Sequence, residues 1–121
     1  MQTKIFAISL FVDDLAAARE FYVRVFDAPI LDEDAQAIAF QFENTIINLV
    51  VEPSVPELIE PATLGTGTRE MLTITVDDVD ATVAELQGKG VQILNGPQDR
   101  PWGPRTAAFS DPAGHVWEIA S

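Results

Sequence analysis

The sequence predicts an α+β protein of two tandem β-α-β-β-β modules within one domain covering residues 1–121. Three observations predict it. Val12-Asp13-Asp14-Leu15 recurs as Val76-Asp77-Asp78-Val79. The residues before each copy also match, Ile8-Ser9-Leu10-Phe11 being answered by Leu72-Thr73-Ile74-Thr75. Between the copies, Pro53, Pro56, Pro61, Gly65 and Gly67 mark a linker over 53–69. Module one then spans about 4–52 and module two about 70–121. A chain of 121 residues suits one compact domain of this kind.

The elements follow in order. Residues 4–12 are rich in β-branched and aromatic side chains and predict a strand. Asp13 or Asp14 caps the helix that follows, because a carboxylate there accepts free backbone N–H groups and suits the helix dipole. Leu15, Ala18, Tyr22 and Val25 recur at helical spacing, flanked by Phe21 and Phe26. Pro29 ends the segment, since it lacks an N–H and restrains the residue before it. Short strands are expected near 29–33, 36–43 and 45–51, with Glu43-Asn44 as a turn. In the second module a strand from about Glu70 to Val76 leads to a helix at about 78–88. Asp77 or Asp78 caps it, Val79, Val83 and Leu86 form its apolar stripe, and Gly88 and Gly90 end it. Strands near 91–95, 105–110 and 115–120 complete the module. Asp111-Pro112-Ala113-Gly114 joins the last two with the pattern of a type I turn.

Composition narrows the function. The chain is 47% hydrophobic and 21% charged, as expected of a globular protein. It has no cysteine, which excludes disulfides, thiolate metal sites and cysteine nucleophiles. The net charge of -12 argues against nucleic acid, which needs a basic face. It suits either a cationic ligand or simply a well-solvated surface. No apolar run is long enough to span a membrane. Lys4 with the apolar run to Val12 imitates a signal peptide. The same pattern at Met71–Val76 lies in mid-chain, so both read as strands and the expected location is cytoplasmic.

The chain resembles the glyoxalase/bleomycin resistance family, also called the vicinal oxygen chelate superfamily, over almost its whole length. The most specific piece is Asp111-Pro112-Ala113-Gly114-His115-Val116-Trp117-Glu118-Ile119; the Val-Asp-Asp-Leu junction and Phe21-Tyr22 support it. The resemblance implies a curved mixed sheet around a cavity. In metal-dependent members it also implies a four-residue site of His, Glu or Gln, one ligand from the first and one from the last strand of each module. Such a site suits a divalent metal with positions left open for substrate oxygens.

Strand alternation assigns those positions in this chain. Phe6, Ile8, Leu10 and Val12 form the apolar set that faces the helix, so Ile5, Ala7, Ser9 and Phe11 face the cavity. The ligand positions become Ala7 and Asn48 in module one, Met71 and Glu118 in module two. Alanine has no donor atom, methionine sulfur is soft, and an asparagine oxygen is weak and neutral. Only Glu118 is a good ligand. A slip of one residue would exchange the faces, but it would turn Phe6, Ile8 and Leu10 to the cavity.

Other residues admit two readings each. Glu118 is either a contact for a cationic or hydrogen-bonding ligand group, or a general base, or else a partner for Arg105. Trp102, in Arg100-Pro101-Trp102-Gly103-Pro104-Arg105, either closes over a planar ligand with Arg105 or packs on its own loop. His115, the single histidine, reads as a turn or strand-start residue. Trp117 reads as core beneath the second helix. Ala7, Ser9, Phe11, Met71, Thr73 and Thr75 describe a mostly apolar lining with a few hydroxyls, suited to a small molecule or a subunit contact.

The expected function is therefore that of a metal-free protein binding a small organic molecule, such as an antibiotic-like or aromatic compound. Ala7, Ser9, Phe11, Asn48, Met71, Thr73, Trp102, Arg105 and Glu118 would be its contacts. No cofactor is expected, and the family resemblance implies a homodimer. The alternatives are a glyoxalase-type lyase, isomerase or dioxygenase, using a divalent metal or Glu118 as base, and a structural subunit whose cavity is filled by side chains.

Overall fold

The computed structural model describes residues 1–121. The chain divides into two compact units, Met1–Thr66 and Gly67–Ser121. The first contains β1 (Ala7–Val12), α1 (Leu15–Phe26), β2 (Ile30–Glu33), β3 (Ala37–Gln41) and β4 (Ile46–Val51). A 3-10 turn at Glu52–Ser54 and a short helix α2 (Pro56–Ile59) follow. The second contains β5 (Met71–Thr75), α3 (Val79–Gly88), β6 (Ile93–Asp99), β7 (Arg105–Ser110) and β8 (Val116–Ala120). Each unit carries one four-stranded mixed sheet, in the orders β1-β4-β3-β2 and β5-β8-β7-β6. In both, the first strand runs parallel to the last and the other pairs are antiparallel. The helix after the first strand supplies the crossover that a parallel pair requires. No helix is long and apolar enough to cross a membrane.

The repeated acids resolve into a shared device. Asp14 is extended and its carboxylate accepts from the Ala17 N–H at 3.0 Å. Asp78 does the same for Ala81 at 3.0 Å. The second acid of each pair is thus the cap, satisfying a donor that the first helical turn leaves free. At the other end of α1, Asp27 takes a left-handed conformation and returns its N–H to Val23.

Each helix buries its stripe on one face of its own sheet. In the first unit Ala18, Phe21, Tyr22 and Val25 are buried with Leu10, Val12, Ile38, Phe40, Ile47 and Leu49. Tyr22 stacks on Phe26 at 5.4 Å and lies 5.8 Å from Phe40. In the second, Val79, Val83 and Leu86 pack on a face that includes Ala107, Phe109, Trp117 and Ile119. Trp117 is core, as its alternation predicts. Arg19 on α1 is fastened to Glu33 on β2 by Nε at 2.7 Å and Nη2 at 3.1 Å.

Two expectations need correction. The first strand begins at Ala7, and Phe6, expected under the helix, is 79% exposed. The paired register with β4 starts at Ala7↔Ile46, so Phe6 lies just beyond the end of the ladder, where its carbonyl accepts from the Ile46 N–H at 3.3 Å while its side chain stays exposed. Within the segment read as a linker, Pro53 and Pro56 occupy first-turn positions of the 3-10 turn and of α2, where a missing N–H costs nothing. The strand expected near 91–95 runs on to Asp99 through Gly96 and Pro97. Its register with β7 shifts on both sides of Asn95, so Gly and Pro sit at irregularities where no regular ladder bond is lost.

Candidate functional site

The face of each sheet away from its helix is the candidate surface. In the first unit Ala7, Ser9 and Phe11 on β1 lie on this face, with Asn48 on β4. Ser9 is the direct register partner of Asn48. The Asn48 amide Nδ2 donates to Ser9 Oγ at 3.5 Å, a long and weak contact. In the second unit Met71, Thr73 and Thr75 on β5 are exposed on the corresponding face. Thr73 is the register partner of Glu118 on β8 and donates to its Oε1 at 3.0 Å. The two units therefore carry matching hydroxyl-bearing pairs, one neutral and one with a carboxylate.

Arg105 is placed elsewhere. Along β7 it shares a side with Ala107 and Phe109, toward α3. Its guanidinium grips Asp80 on α3, with Nε at 2.7 Å and Nη2 at 2.9 Å, and reaches Asp99 at 3.1 Å. It is not brought together with Glu118, whose hydrogen-bond partner is Thr73. The bidentate hydrogen bond from Arg105, with its charge, holds the Asp80 carboxyl below the usual carboxylate range.

That depression sets a sign for pH. The pairing stabilises the fold wherever Asp80 is ionised in both states. It is lost only as pH falls below about 4 and through the depressed value. Asp80→Asn is therefore expected to lower the melting temperature at pH 7, with the gap to the parent closing only on acidification below that point. A melting series from pH 7 to pH 3 checks this; a gap that widens toward acid would contradict it.

Trp102 lies at the tip of the β6–β7 hairpin and is 72% exposed, so it does not bury itself on its own loop. Arg100 holds the tip: its N–H donates to Pro104 O at 2.8 Å, and its Cζ lies 5.7 Å from the Trp102 ring centroid. Arg100 also reaches the open face. Its Nε donates to Thr106 Oγ1 at 2.8 Å and its Nη2 to Asn95 Oδ1 at 3.1 Å. In the orientation that its surroundings require, the Gln98 amide oxygen accepts from Nη1 at 3.2 Å and Nη2 at 3.1 Å. Thr106 pairs with Ala120 and Ala108 with Glu118, so Thr106 and Glu118 share a side of the sheet. Arg100, Asn95 and Gln98 were not among the residues expected at the site. The available signal was the parity of 105–110, which sends Arg105 to the side of Phe109 and Thr106 to the other.

The turn before β8 is stabilised locally. Asp111 is buried, and its Oδ1 accepts from the N–H groups of Ala113 and His115, each at 2.9 Å. His115 Nδ1 lies 2.8 Å from Glu70 Oε1. The histidine is thus occupied at the start of its strand, beside a glutamate of the same unit.

A divalent metal of the kind the resemblance implies does not fit the donors present. At the positions that the resemblance implies, the first unit offers Ala7 and Asn48, the second Met71 and Glu118. No three His, Asp or Glu side chains gather closely enough to hold an ion. A single carboxylate already accepting from a threonine hydroxyl supplies one donor of the several needed.

Comparison with known proteins agrees with this architecture. The sequence matches the family described as the Glyoxalase/Bleomycin resistance protein/Dioxygenase superfamily over residues 4–119. It is 32% identical over 123 residues to the protein YraH of Bacillus subtilis (strain 168), covering 96% of each chain. The structure is similar to a glyoxalase/bleomycin resistance protein/dioxygenase from Nocardioides, with a TM-score of 0.88 and 22% identity over 99% of this chain and 83% of that one. It is also similar to TnmS3, an antibiotic binding protein from Streptomyces sp. CB03234, with a TM-score of 0.74 and 28% identity over 98% and 94% of the two chains. The extent of the sequence match and the duplicated β-α-β-β-β units together show that this chain belongs to the Glyoxalase/Bleomycin resistance protein/Dioxygenase superfamily.

Proposed function

We propose that the protein binds a small organic molecule without a metal, sequestering an antibiotic-like or aromatic compound on the open faces of its sheets. The observation that carries this reading is the chemistry of the equivalent strand positions. Ala7 and Met71 occupy the strand positions at which the resemblance implies ligands in metal-dependent members, and neither can hold a hard cation. What remains on each open face is a set of apolar groups with a few hydrogen-bonding ones: Ala7, Ser9, Phe11 and Asn48 on the first unit's sheet, and Met71, Thr73 and Glu118 on the second unit's. Such mixtures suit small molecules, where apolar contact gives affinity and a few polar groups give orientation. Similarity to TnmS3, an antibiotic binding protein, supports the same reading.

Two further parts belong to the proposal. An open sheet face with Phe11 and Met71 on it favours a partner, so the protein is proposed to pair as a homodimer. The lack of cysteine and of a membrane-crossing helix fits residence in the cytoplasm.

A melting-temperature screen against small aromatic compounds tests the binding reading. A true ligand at a hundred times its Kd stabilises the fold by about 2.7 kcal/mol, a rise of several degrees. A panel in which no compound raises the melting temperature would count against it. Metal analysis of protein purified without chelator tests the other half: a stoichiometric, tightly held divalent ion would overturn the metal-free reading.

A further inference from the structure

Arg100 stands out by its partners. The chain has 19 acidic side chains against 7 lysines and arginines, so a carboxylate is the partner most readily available to a basic group. Arg19, Arg24, Lys89 and Arg105 each hold one. Arg100 instead sits among neutral acceptors: the Thr106 hydroxyl and the Asn95 and Gln98 amides. These fix the direction of the guanidinium without neutralising its charge. One of its five N–H groups is left over, and Asn95 and Gln98 are exposed and able to swing aside. Next to it, Trp102 offers a largely uncovered aromatic ring.

We infer that Arg100 receives the anionic group, a carboxylate or its equivalent, of a planar ligand whose ring lies on Trp102. The inference rests on the proposal that the open face binds a small molecule, and it names that molecule's charge. The chemistry is complementary at both points. A guanidinium prefers a planar oxyanion, and an indole face accepts another ring. Glu118, on the same side of the sheet and held by Thr73, adds discrimination by repelling a second negative group and favouring a donor. The net charge of -12 opposes any anion at long range. Salt screens that repulsion beyond about 10 Å at 0.1 M, whereas the contact with Arg100 acts at hydrogen-bond distance. A purely structural Arg100, pinning the irregular β6–β7 ladder, would show no preference for ligand charge.

The test is a titration of the 15N-labelled full chain with 2-naphthoate, 2-naphthamide and 2-naphthylmethylammonium. The readouts are the Trp102 indole N–H and the Arg100 Nε–H. Naphthoate is expected to bind at least about tenfold more tightly than either analogue and to shift both resonances. The preference is expected to vanish in Arg100→Gln and to survive in part in Arg100→Lys. Should Arg100→Gln fail to fold, the charge series on the parent chain at fixed salt decides: naphthoate shifts the Arg100 Nε–H and binds at least about tenfold more tightly than naphthamide. Equal or stronger binding of the amide or the ammonium, or naphthoate binding that leaves the Arg100 Nε–H unmoved, overturns the assignment of charge and leaves small-molecule binding standing. If none of the three shifts any resonance of the open face, the assignment falls, and the binding proposal with it for naphthyl-sized ligands.

Discussion

Replacing Phe40 with alanine is expected to lower the stability of the first unit by about 3–5 kcal/mol. Phe40 has no exposed surface and sits on β3, facing α1. Its ring lies 5.8 Å from Tyr22, which stacks on Phe26, which in turn lies 5.2 Å from Phe42. Truncation removes apolar area and also opens a void between strands held at fixed spacing by their hydrogen bonds. Two effects therefore add: the missing transfer energy of the ring, and the dispersion attraction forfeited by the aromatic side chains around the void. Phe40→Leu keeps most of the volume and should cost about half as much or less. Urea titration of the two variants checks the order. A Phe40→Ala cost below about 1 kcal/mol would show that the aromatic layer collapses onto the gap.

Gly96→Ala is expected to cost about 2–4 kcal/mol, more than most single methyl groups can. Gly96 has a φ of 81°, which an L side chain rarely adopts. A Cβ there would stand 2.3 Å from the Thr106 carbonyl oxygen and 2.8 Å from the Ala107 Cα. Both are backbone atoms of β7, so no rotamer change relieves the clash. The hairpin must separate at the point where Arg100 bonds Thr106. A melting curve would show the loss. Weakened interaction of Trp102 with added ligand would show that the damage reaches the proposed binding surface. A variant as stable as the parent would mean that β6 can slide along β7 at its irregular register.

Local chemistry was readable because it depends on neighbours in sequence. Asp14 and Asp78 cap their helices within three residues of themselves, and Tyr22 and Val25 fall on the buried stripe that their spacing predicts. The alternation of β1 was equally legible, since Leu10 and Val12 are buried while Ser9 is exposed. Where pairing ends was not: Phe6 continues the apolar pattern, yet it lies one residue beyond the paired register with β4. The partners on the candidate surface were harder still. Whether Glu118 meets Thr73 or Arg105 depends on which strand lies next to β8 and in what register. Thr73 and Glu118 are 45 residues apart in the chain. Arg105 and Arg100 flank the same tryptophan and look alike in a line of letters. One residue of strand parity sends the first to the helix side, where Asp80 waits for it.

The parallel pairing of first and last strands has a consequence for the order in which each unit comes together. The meander from β2 to β4 closes over short turns, and so does that from β6 to β8. By contrast Ser9 must find Asn48 across 39 residues and Thr73 must find Glu118 across 45. Closing the longer loops costs more chain entropy, so those searches come late in folding. The opening strands are then the last timbers laid in each half, and they bring Ser9 and Thr73 into place. A nascent or partly opened chain would already hold its helix caps and hairpins while still lacking a finished candidate surface.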